Sequence, residues 1–298
     1  MKIKGIEFNV NAASGALGWF GEGYWYHKIY GFIFPSFKKT MADLNFVTKT
    51  IVLNAVSLSG PGFVPLLASG KLQKIKRGAL GISFMPVGRT IEEMLFETRS
   101  FRDKLIETIN RGHYYFKEIF QSPIWVQVNQ SCSNTIRSDG QILAYMKDIL
   151  GMLQPLRKTQ IIVLDLKVNF LIPNEVIADI CKSDLCDVIT ISNTIKFGNE
   201  ESDIPWKSLF WWRTSSPLAK FGGGGLSGKP LFEAVCNKII CLRNHGIKIP
   251  IKVSGGIFSV SNVKLLKACG ASAIEFATVI SLRPWRISRI VKEARRIF

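Results

Sequence analysis

The stretch I-W-V-Q-V-N-Q-S-C-S-N-T, residues 124–135, passes from a short apolar run into a polar loop. Such a run is typical of a strand that is buried on both faces of a sheet. The loop sets Cys132 between Asn129 and Asn134, and these side chains offer paired donors and acceptors beside a titratable thiol. The stretch indicates either an enzyme site for a small amide-rich ring or a turn with capping asparagines and a space-filling cysteine.

Similar short apolar runs alternate with longer amphipathic ones through most of the chain. About eight of them are candidate strands: Phe8–Ala12, Phe46–Leu53, Leu80–Met85, Ile124–Val128, Ile161–Leu166, Val188–Ile191, Ile249–Val253 and Ala273–Phe276. Strands that alternate with helices about eight times favour a closed parallel barrel over an open sheet. We therefore predict an α/β fold, a (β/α)8 TIM barrel, formed as a single domain by residues 1–298.

Helix-start signals lie between these runs. Thr90 and Glu93 form a capping box that should open a helix to about Lys117, and Ser138 with Gln141 forms a second box. Further helices are expected at Pro173–Lys182, Pro230–His245, Val260–Ala268 and Pro284–Ile297. The segment Gly198–Gly225 is aromatic and glycine-rich, which predicts an elaborated loop over the barrel mouth.

Composition narrows the class of protein. The net charge of +17 is spread along the chain, which fits a general basic bias or attraction of small anions better than a nucleic-acid groove. The uncharged run Thr50–Gly70 contains glycines and prolines that would break a membrane helix, and no secretory signal opens the chain. Six cysteines without a C-x-x-C pair, and three histidines, argue against zinc and disulfides. We expect a cytoplasmic protein in which five of the six cysteines are buried thiols.

The predicted carboxyl ends of the strands carry polar and small residues, where a barrel places its chemistry. Lys49 and Lys167 lie in apolar runs, where an unpaired ammonium would be costly; each either reaches solvent or stabilises negative charge on a ring such as a reduced flavin. Gly255 and Gly256 follow the seventh run, where barrels often bind phosphate; ordinary tight turns are the alternative.

These motifs, in this order and spacing, resemble the dihydroorotate dehydrogenases, which are FMN enzymes on a (β/α)8 barrel. The resemblance runs from about residue 6 to the end. Its pieces are A-S-G at 13–15, T-K-T at 48–50, L-N-A-V-S-L at 53–58, N-x-S-C-x-N-T at 129–135, Lys167, S-N-T at 192–194, G-G-L-S-G at 224–228, G-G-I at 255–257 and A-T at 277–278. The stretch 14–24 is most similar to class 1, particularly the catalytic subunit that pairs with an iron–sulfur flavoprotein.

The resemblance implies a role for each matching residue. Cys132 would remove the C5 proton of dihydroorotate while C6 gives hydride to N5 of FMN, with Lys49 beside flavin and substrate. Substrate binding would fall to Asn54, Asn129, Asn134, Asn193 and Thr194. FMN binding would fall to Ala13, Ser14, Gly15, Lys49, Thr50, Asn129, Lys167, Ser192, Gly228, Gly255, Gly256, Ala277 and Thr278. No metal is implied; the implied partners are a second copy of the chain and an iron–sulfur/FAD electron-transfer subunit, with neither nucleic acid nor membrane.

The chain also departs from the family pattern. An Arg, Gly-Asn-Pro and Pro-Arg loop of the family is absent between Thr50 and Ile51, and Ser133 and Ala277 replace a proline and a glycine. Proline fixes φ and serine does not, so the cysteine loop should be looser here. Two other functions therefore stay open: a flavin-dependent oxidoreductase of another dihydropyrimidine, including dihydrouridine in tRNA, and a catalytically silent flavin-binding subunit.

Overall fold

The computed structural model describes most of the chain. The described residues are 2–4, 6–7, 10–12, 45–55, 62–69, 79–88, 90–114, 124–129, 145–158, 162–191, 194–211 and 213–298.

Strands and helices alternate through the described residues. The strands are β1 Lys2–Ile3, β2 Ile6–Glu7, β3 Val10–Ala12, β4 Asn45–Val47, β5 Ile51–Asn54, β6 Leu80–Phe84, β7 Ile124–Asn129, β8 Val163–Val168, β9 Val188–Ile191, β10 Ile195–Lys196, β11 Gly225–Gly228, β12 Ile251–Ser254 and β13 Ala273–Phe276. The helices are α1 Phe63–Ala68, α2 Ile91–Tyr114, α3 Met146–Met152, α4 Gln154–Lys158, α5 Asn174–Lys182, α6 Trp206–Leu209, α7 Phe232–Asn244, α8 Val260–Ala268, α9 Thr278–Leu282 and α10 Ile287–Ile297.

The main sheet has seven strands in the order β3-β13-β12-β9-β8-β7-β6, and every neighbouring pair is parallel. All six residues of β7 and all six of β8 are buried, as expected for strands covered on both faces. Seven of the eight predicted strands lie in this sheet, which confirms the prediction of an α/β fold with parallel strands.

The sheet is curled rather than flat. Strands β7 and β13 are four positions apart in the sheet order, which would separate them by about 19 Å in a flat sheet. Nevertheless, Nε2 of Gln127 in β7 lies 2.9 Å from Oε2 of Glu275 in β13. The strands therefore bend around a common interior. An eighth strand closing the sheet is not among the described residues, so the full barrel stays a prediction.

The prediction of one continuous strand at Phe46–Leu53 is wrong. The polar trio Thr48-Lys49-Thr50 interrupts the apolar run and forms a turn, with the N–H of Thr48 donating to the carbonyl of Ile51 at 2.9 Å. Strands β4 and β5 on either side pair antiparallel. They belong to a second sheet of four strands in the order β10-β11-β5-β4.

The segment expected to be a loop over the mouth carries regular structure of its own. It contains α6 and reaches β11 of the second sheet. Phe210 is at its centre, with ring centroids 5.0 Å from Phe197 and 5.8 Å from Phe46. Of the aromatic residues in this segment, Trp206 stacks with Phe210 at a centroid distance of 6.4 Å and joins the hydrophobic core, whereas Trp211 is exposed.

Helix starts follow the sequence signals closely. The N–H of Glu93 donates to Oγ1 of Thr90 at 3.2 Å, and the N–H of Thr90 donates to Oε2 of Glu93 at 3.3 Å, so the capping box of α2 is confirmed. The second proposed box, Ser138 with Gln141, lies outside the described residues. In the described part of the chain, the helices are all too short or too polar to cross a membrane.

Five cysteines lie in the described residues, and the prediction that they are buried thiols is confirmed for two, holds only in part for two and is wrong for one. Cys186 and Cys236 are buried and Cys181 and Cys269 are half-buried, but Cys241 is exposed on α7. Cys241 lies five residues after Cys236, and a helix turns by about 100° per residue, so this step carries it to the opposite, solvent side.

Thiol labelling should separate these cysteines. Burial, and then the neighbouring Cys269, raise the pKa of Cys236 to about 12, and burial raises the pKa of Cys186 well above its usual range. Because the thiolate is the reactive form, we expect maleimide at pH 7 to modify Cys241 at least tenfold faster than either buried thiol. Mass spectrometry of peptides over a time course measures this; equal rates at Cys236 and Cys241 would contradict the packing of α7.

Candidate active site

Two of the predicted site residues meet at the carboxyl end of the main sheet. Asn129 ends β7 and lies directly opposite Lys167 of β8 in the parallel register. Both are almost completely buried, with 5% and 4% of their surface exposed. The amide of Asn129 and the ammonium of Lys167 are therefore neighbouring buried polar groups at the carboxyl ends of these two strands.

The Lys167 ammonium is held by a carboxylate. Its Nζ lies 2.5 Å from Oε1 of Glu275. Among the described residues Glu275 is its only acceptor, although an ammonium carries three N–H donors. Two N–H donors of Lys167 are therefore open to acceptor atoms of a ligand. A buried ammonium needs such acceptors more than an exposed one does, because water cannot solvate it.

Beneath this pair lies a buried polar layer that fills the middle of the curled sheet. Oε2 of Glu275 accepts from Gln127 at 2.9 Å and lies 3.1 Å from Nζ of Lys252. Lys252 is also paired with Asp165 at 2.6 Å. Thr190 donates to the other oxygen of Asp165 at 2.6 Å, and Gln127 donates to this carboxylate at 3.0 Å. Five strands thus contribute to one hydrogen-bonded cluster.

Below the polar layer the interior becomes apolar again. Trp125, Val163, Val188 and Ala273 form a separate buried cluster two residues earlier on their strands. The ring of Trp125 lies 3.9 Å from Nζ of Lys252, a cation–π contact that joins the two layers. A Cβ at Gly81 would lie 2.3 Å from the indole, so only glycine leaves room for this tryptophan.

The ion pairs of the polar layer and of Lys167 above it determine the pKa values of Glu275 and Lys252. Burial alone would raise the pKa of Glu275, but Lys167 and then Lys252 outweigh it and lower this pKa to about 2. Burial would lower the pKa of Lys252, but Asp165 and Glu275 outweigh that and raise it. The carboxylates of Asp165 and Glu275 are matched in number by the ammonium groups of Lys252 in the layer and Lys167 above it, so the ion pairs balance only when Lys167 is counted.

The glycine pair after β12 combines close packing with free donors. Gly255 and Gly256 have φ of 118° and 69°, a region that favours glycine. A Cβ at Gly256 would lie 2.7 Å from Cβ of Phe232, so a glycine at this position lets the start of α7 pack closely against the loop after β12. Gly256 and Ile257 are buried, and within the described residues their N–H groups have no acceptor. Buried N–H groups are rarely left unpaired, so this loop suits an anion such as phosphate.

A second group of predicted residues meets where the two sheets touch. A Cβ at Gly228, which has φ of 111°, would lie 2.2 Å from the carbonyl oxygen of Thr50. Thr278, at the start of α9, donates to the hydroxyl of Ser227 at 3.2 Å. These contacts fix the turn after β4 and the end of β11 above the carboxyl end of β13. Lys49 is in this turn, exposed, and not in an apolar strand as predicted.

The remaining described candidates border the small sheet. Asn54 ends β5, and its Nδ2 donates to the carbonyl of Gly225 at 3.3 Å. The carbonyl of Thr194 accepts from Nδ2 of Asn169 at 3.3 Å. Asn169, two residues beyond Lys167, is a buried polar side chain that was not among the predicted site residues. Ala277 directly precedes α9, at the end of β13.

Several predicted residues lie outside the described residues. These are Ala13, Ser14, Gly15, Cys132, Asn134, Ser192 and Asn193. Their roles stay predictions.

Comparison with known proteins identifies the family. A family model described as dihydroorotate dehydrogenase matches residues 42–298. The chain belongs to this family. No curated protein is similar enough in sequence to match. The fold is similar to ligand-free dihydroorotate dehydrogenase (DHODH) from Eimeria tenella, with a TM-score of 0.64 and 16% identity, covering 100% of this chain and 84% of that one. It is also similar to Eimeria tenella DHODH in complex with ferulenol, with a TM-score of 0.67 and 17% identity, covering 99% and 82%.

Membership in the dihydroorotate dehydrogenase family makes the chain an oxidoreductase of a flavoprotein family. In this family member the buried Lys167 and Asn129 occupy the carboxyl end of the parallel sheet, where enzymes of this architecture place their chemistry. The polar layer below them was missed by sequence analysis. Its signal was present, because Asp165, Lys252 and Glu275 lie in apolar runs just as Lys167 does.

Acid should destabilise this dihydroorotate dehydrogenase family member through Glu275. Its folded pKa of about 2 lies below an unfolded value near 4.3, so its stabilisation is complete above pH ~4.3 and is lost as pH falls toward 2. The full loss is about 3 kcal/mol. We expect the free energy of unfolding to fall between pH 6 and pH 3 more steeply in the wild type than in Glu275→Gln. Equal slopes in urea titrations would contradict a charged Glu275.

Proposed function

We propose that this protein is an FMN-dependent dihydroorotate dehydrogenase that oxidises dihydroorotate to orotate in de novo pyrimidine (UMP) biosynthesis. The observation that carries the proposal is the buried Lys167 ammonium beside Asn129, which uses one of its three N–H donors on an acceptor among the described residues. A fixed positive charge at this place suits a cofactor ring that gains negative charge when it is reduced. Family membership supplies the reaction class.

The described residues fit FMN at both of its ends. Lys167 offers N–H donors for the ring and, for the phosphate, Gly256 and Ile257 offer backbone N–H groups that have no acceptor within the described ranges. Further residues proposed to hold it are Ala13, Ser14, Gly15, Lys49, Thr50, Asn129, Ser192, Gly228, Gly255, Ala277 and Thr278. When bound, the flavin accepts a hydride at N5.

The chain itself supplies the proton acceptor and the substrate site. Cys132 would take the C5 proton of dihydroorotate, and Lys49 would lie by the reacting ring. Amide and hydroxyl groups proposed to bind the pyrimidine ring and its carboxylate are Asn54, Asn129, Asn134, Asn193 and Thr194. Asparagine suits this role because each side chain offers both donors and acceptors to a planar amide.

The proposal extends to the whole molecule. Residues 1–298 would form one FMN-binding domain in which the seven-stranded sheet closes into a (β/α)8 barrel. The class 1 resemblance of the stretch 14–24 supports a cytoplasmic enzyme that forms a homodimer and pairs with an iron–sulfur/FAD electron-transfer subunit.

A visible spectrum followed by anaerobic addition of dihydroorotate tests the function. Flavin absorption that bleaches supports dihydroorotate oxidation. Bound flavin that stays oxidised, but can be reduced by dithionite, would reject dihydroorotate as the substrate. A purified protein that carries no flavin and takes up none on incubation with FMN would reject flavin chemistry altogether.

A second candidate is a flavin-dependent oxidoreductase of another dihydropyrimidine. The absent Arg and Gly-Asn-Pro loop after Thr50 favours it, since that loop would border the substrate, and the +17 charge suits an anionic polymer such as tRNA. Flavin reduced chemically and then reoxidised by uridine-containing tRNA, but not by orotate, would favour this candidate. Bleaching by dihydroorotate favours the first.

A further inference from the structure

We propose that Glu275 is a positioning residue that holds the Lys167 ammonium in place and lowers the reduction potential of the flavin bound above it, a role that rests on the function proposed above. Glu275 belongs to the polar layer and touches Lys167 directly, 2.5 Å from its Nζ. It therefore acts through the lysine rather than on the substrate.

The geometry leaves Glu275 little freedom. Oε1 is bonded to Lys167, and Oε2 accepts from Gln127 at 2.9 Å and lies 3.1 Å from Lys252. Its side chain is almost fully buried, with 1% of its surface exposed. A carboxylate fixed at both oxygens fixes its partner in turn, so the flexible lysine side chain loses most of its alternatives.

Charge decides the direction of the effect on the flavin. A lone ammonium beside the ring would favour the reduced, more negative flavin strongly, because the interior screens charge poorly. The carboxylate at 2.5 Å would cancel much of that field at the ring, and it occupies only one of the three N–H donors of Lys167. The Lys167–Glu275 pair would therefore donate hydrogen bonds to the flavin with a weaker positive field than an unpaired lysine. The reduction potential of the flavin would then be lower than beside an unpaired lysine.

The other carboxylate of the layer provides a matched control. Asp165 is as deeply buried as Glu275, and it pairs with Lys252 at 2.6 Å. Within the described residues it forms no ion pair with Lys167, whose carboxylate partner is Glu275. Glu275→Gln and Asp165→Asn therefore remove the same charge from the same layer, and only the first removes the partner of Lys167.

The test is the flavin potential of the FMN-loaded protein, measured by anaerobic reduction against a reference dye. We expect Glu275→Gln to favour the reduced flavin at least tenfold, a rise of about 30 mV for a two-electron couple. Asp165→Asn should give a clearly smaller rise. An unchanged or lower potential in Glu275→Gln, or equal shifts in both variants, would overturn the proposal.

A second variant covers failure of Glu275→Gln to fold. Lys167→Met removes the ammonium and leaves the carboxylate, so it should disfavour the reduced flavin at least tenfold; an unchanged potential would overturn the proposal. The result is separable from the proposed function, because the potential needs only bound flavin and no substrate. Wild-type protein that binds no flavin rejects both, whereas a yellow protein whose potential ignores Glu275 and Lys167 rejects this role alone.

Discussion

The Cys132→Ala variant is expected to keep its bound flavin and to lose reduction of that flavin by dihydroorotate by about 10²–10⁴-fold. An alanine has no group that can accept the C5 proton, so the proton and hydride can no longer leave together. The flavin contacts that we propose come from other residues, above all Lys167 and the glycine loop at 255–257, and the substitution does not change these residues. Anaerobic stopped-flow spectroscopy of the flavin band measures the rate of bleaching.

The exposed thiol of Cys241 provides the control for this variant. It lies on α7, outside the carboxyl end of the sheet, so Cys241→Ala should bleach at the wild-type rate. The wild-type rate should also rise with pH, because the thiolate is the form that accepts a proton. Unchanged bleaching in Cys132→Ala would show that another group is the base. Loss of the yellow colour would show that Cys132 is needed for flavin binding and not only for proton transfer from the substrate.

Sequence patterns predicted the strands of the main sheet better than the parts around it. Val188–Ile191 and Ala273–Phe276 have the predicted bounds, because each is a mostly apolar run with a single polar residue that is long enough for a strand and too short for a helix. The prediction of a single strand at Phe46–Leu53 was wrong, because a three-residue polar turn within an apolar run resembles a strand whose polar residues face solvent. Only the pairing of β4 with β5 reveals the difference.

The interior charges could not be assigned from the sequence for another reason. Gln127 and Glu275 are 148 positions apart along the chain and meet only because the sheet curls. A single charged residue in an apolar strand suggests a functional residue, as it did for Lys167. Two lysines and two carboxylates in such strands can instead form ion pairs with one another, and the sequence does not indicate which lysine pairs with which carboxylate. The structure assigns three of the four to a common layer and leaves Lys167 at its upper edge.

Replacing Lys252 with methionine is expected to cost about 3–5 kcal/mol of folding free energy, the largest effect on stability that we predict. Methionine fills a similar volume, so the loss comes from charge rather than from a cavity. Asp165 would lose a partner at 2.6 Å and become a buried carboxylate whose remaining donors, in the described part of the chain, are Thr190 and Gln127. Glu275 would keep Lys167, so the unpaired charge falls mainly on Asp165.

Urea unfolding followed by circular dichroism measures this cost, and two variants show whether charge is its cause. Lys264→Met removes a lysine whose side chain is 62% exposed and 3.9 Å from Glu293, so it should cost less than about 1 kcal/mol. Combining Lys252→Met with Asp165→Asn removes both members of the buried pair and should recover part of the loss, because no unpaired charge is left in the layer. A double variant less stable than Lys252→Met by the full effect of Asp165→Asn would mean that the two residues act independently. The polar layer would then be a set of separate hydrogen bonds rather than one balanced cluster, and the fixed position of Lys167 would depend on Glu275 alone.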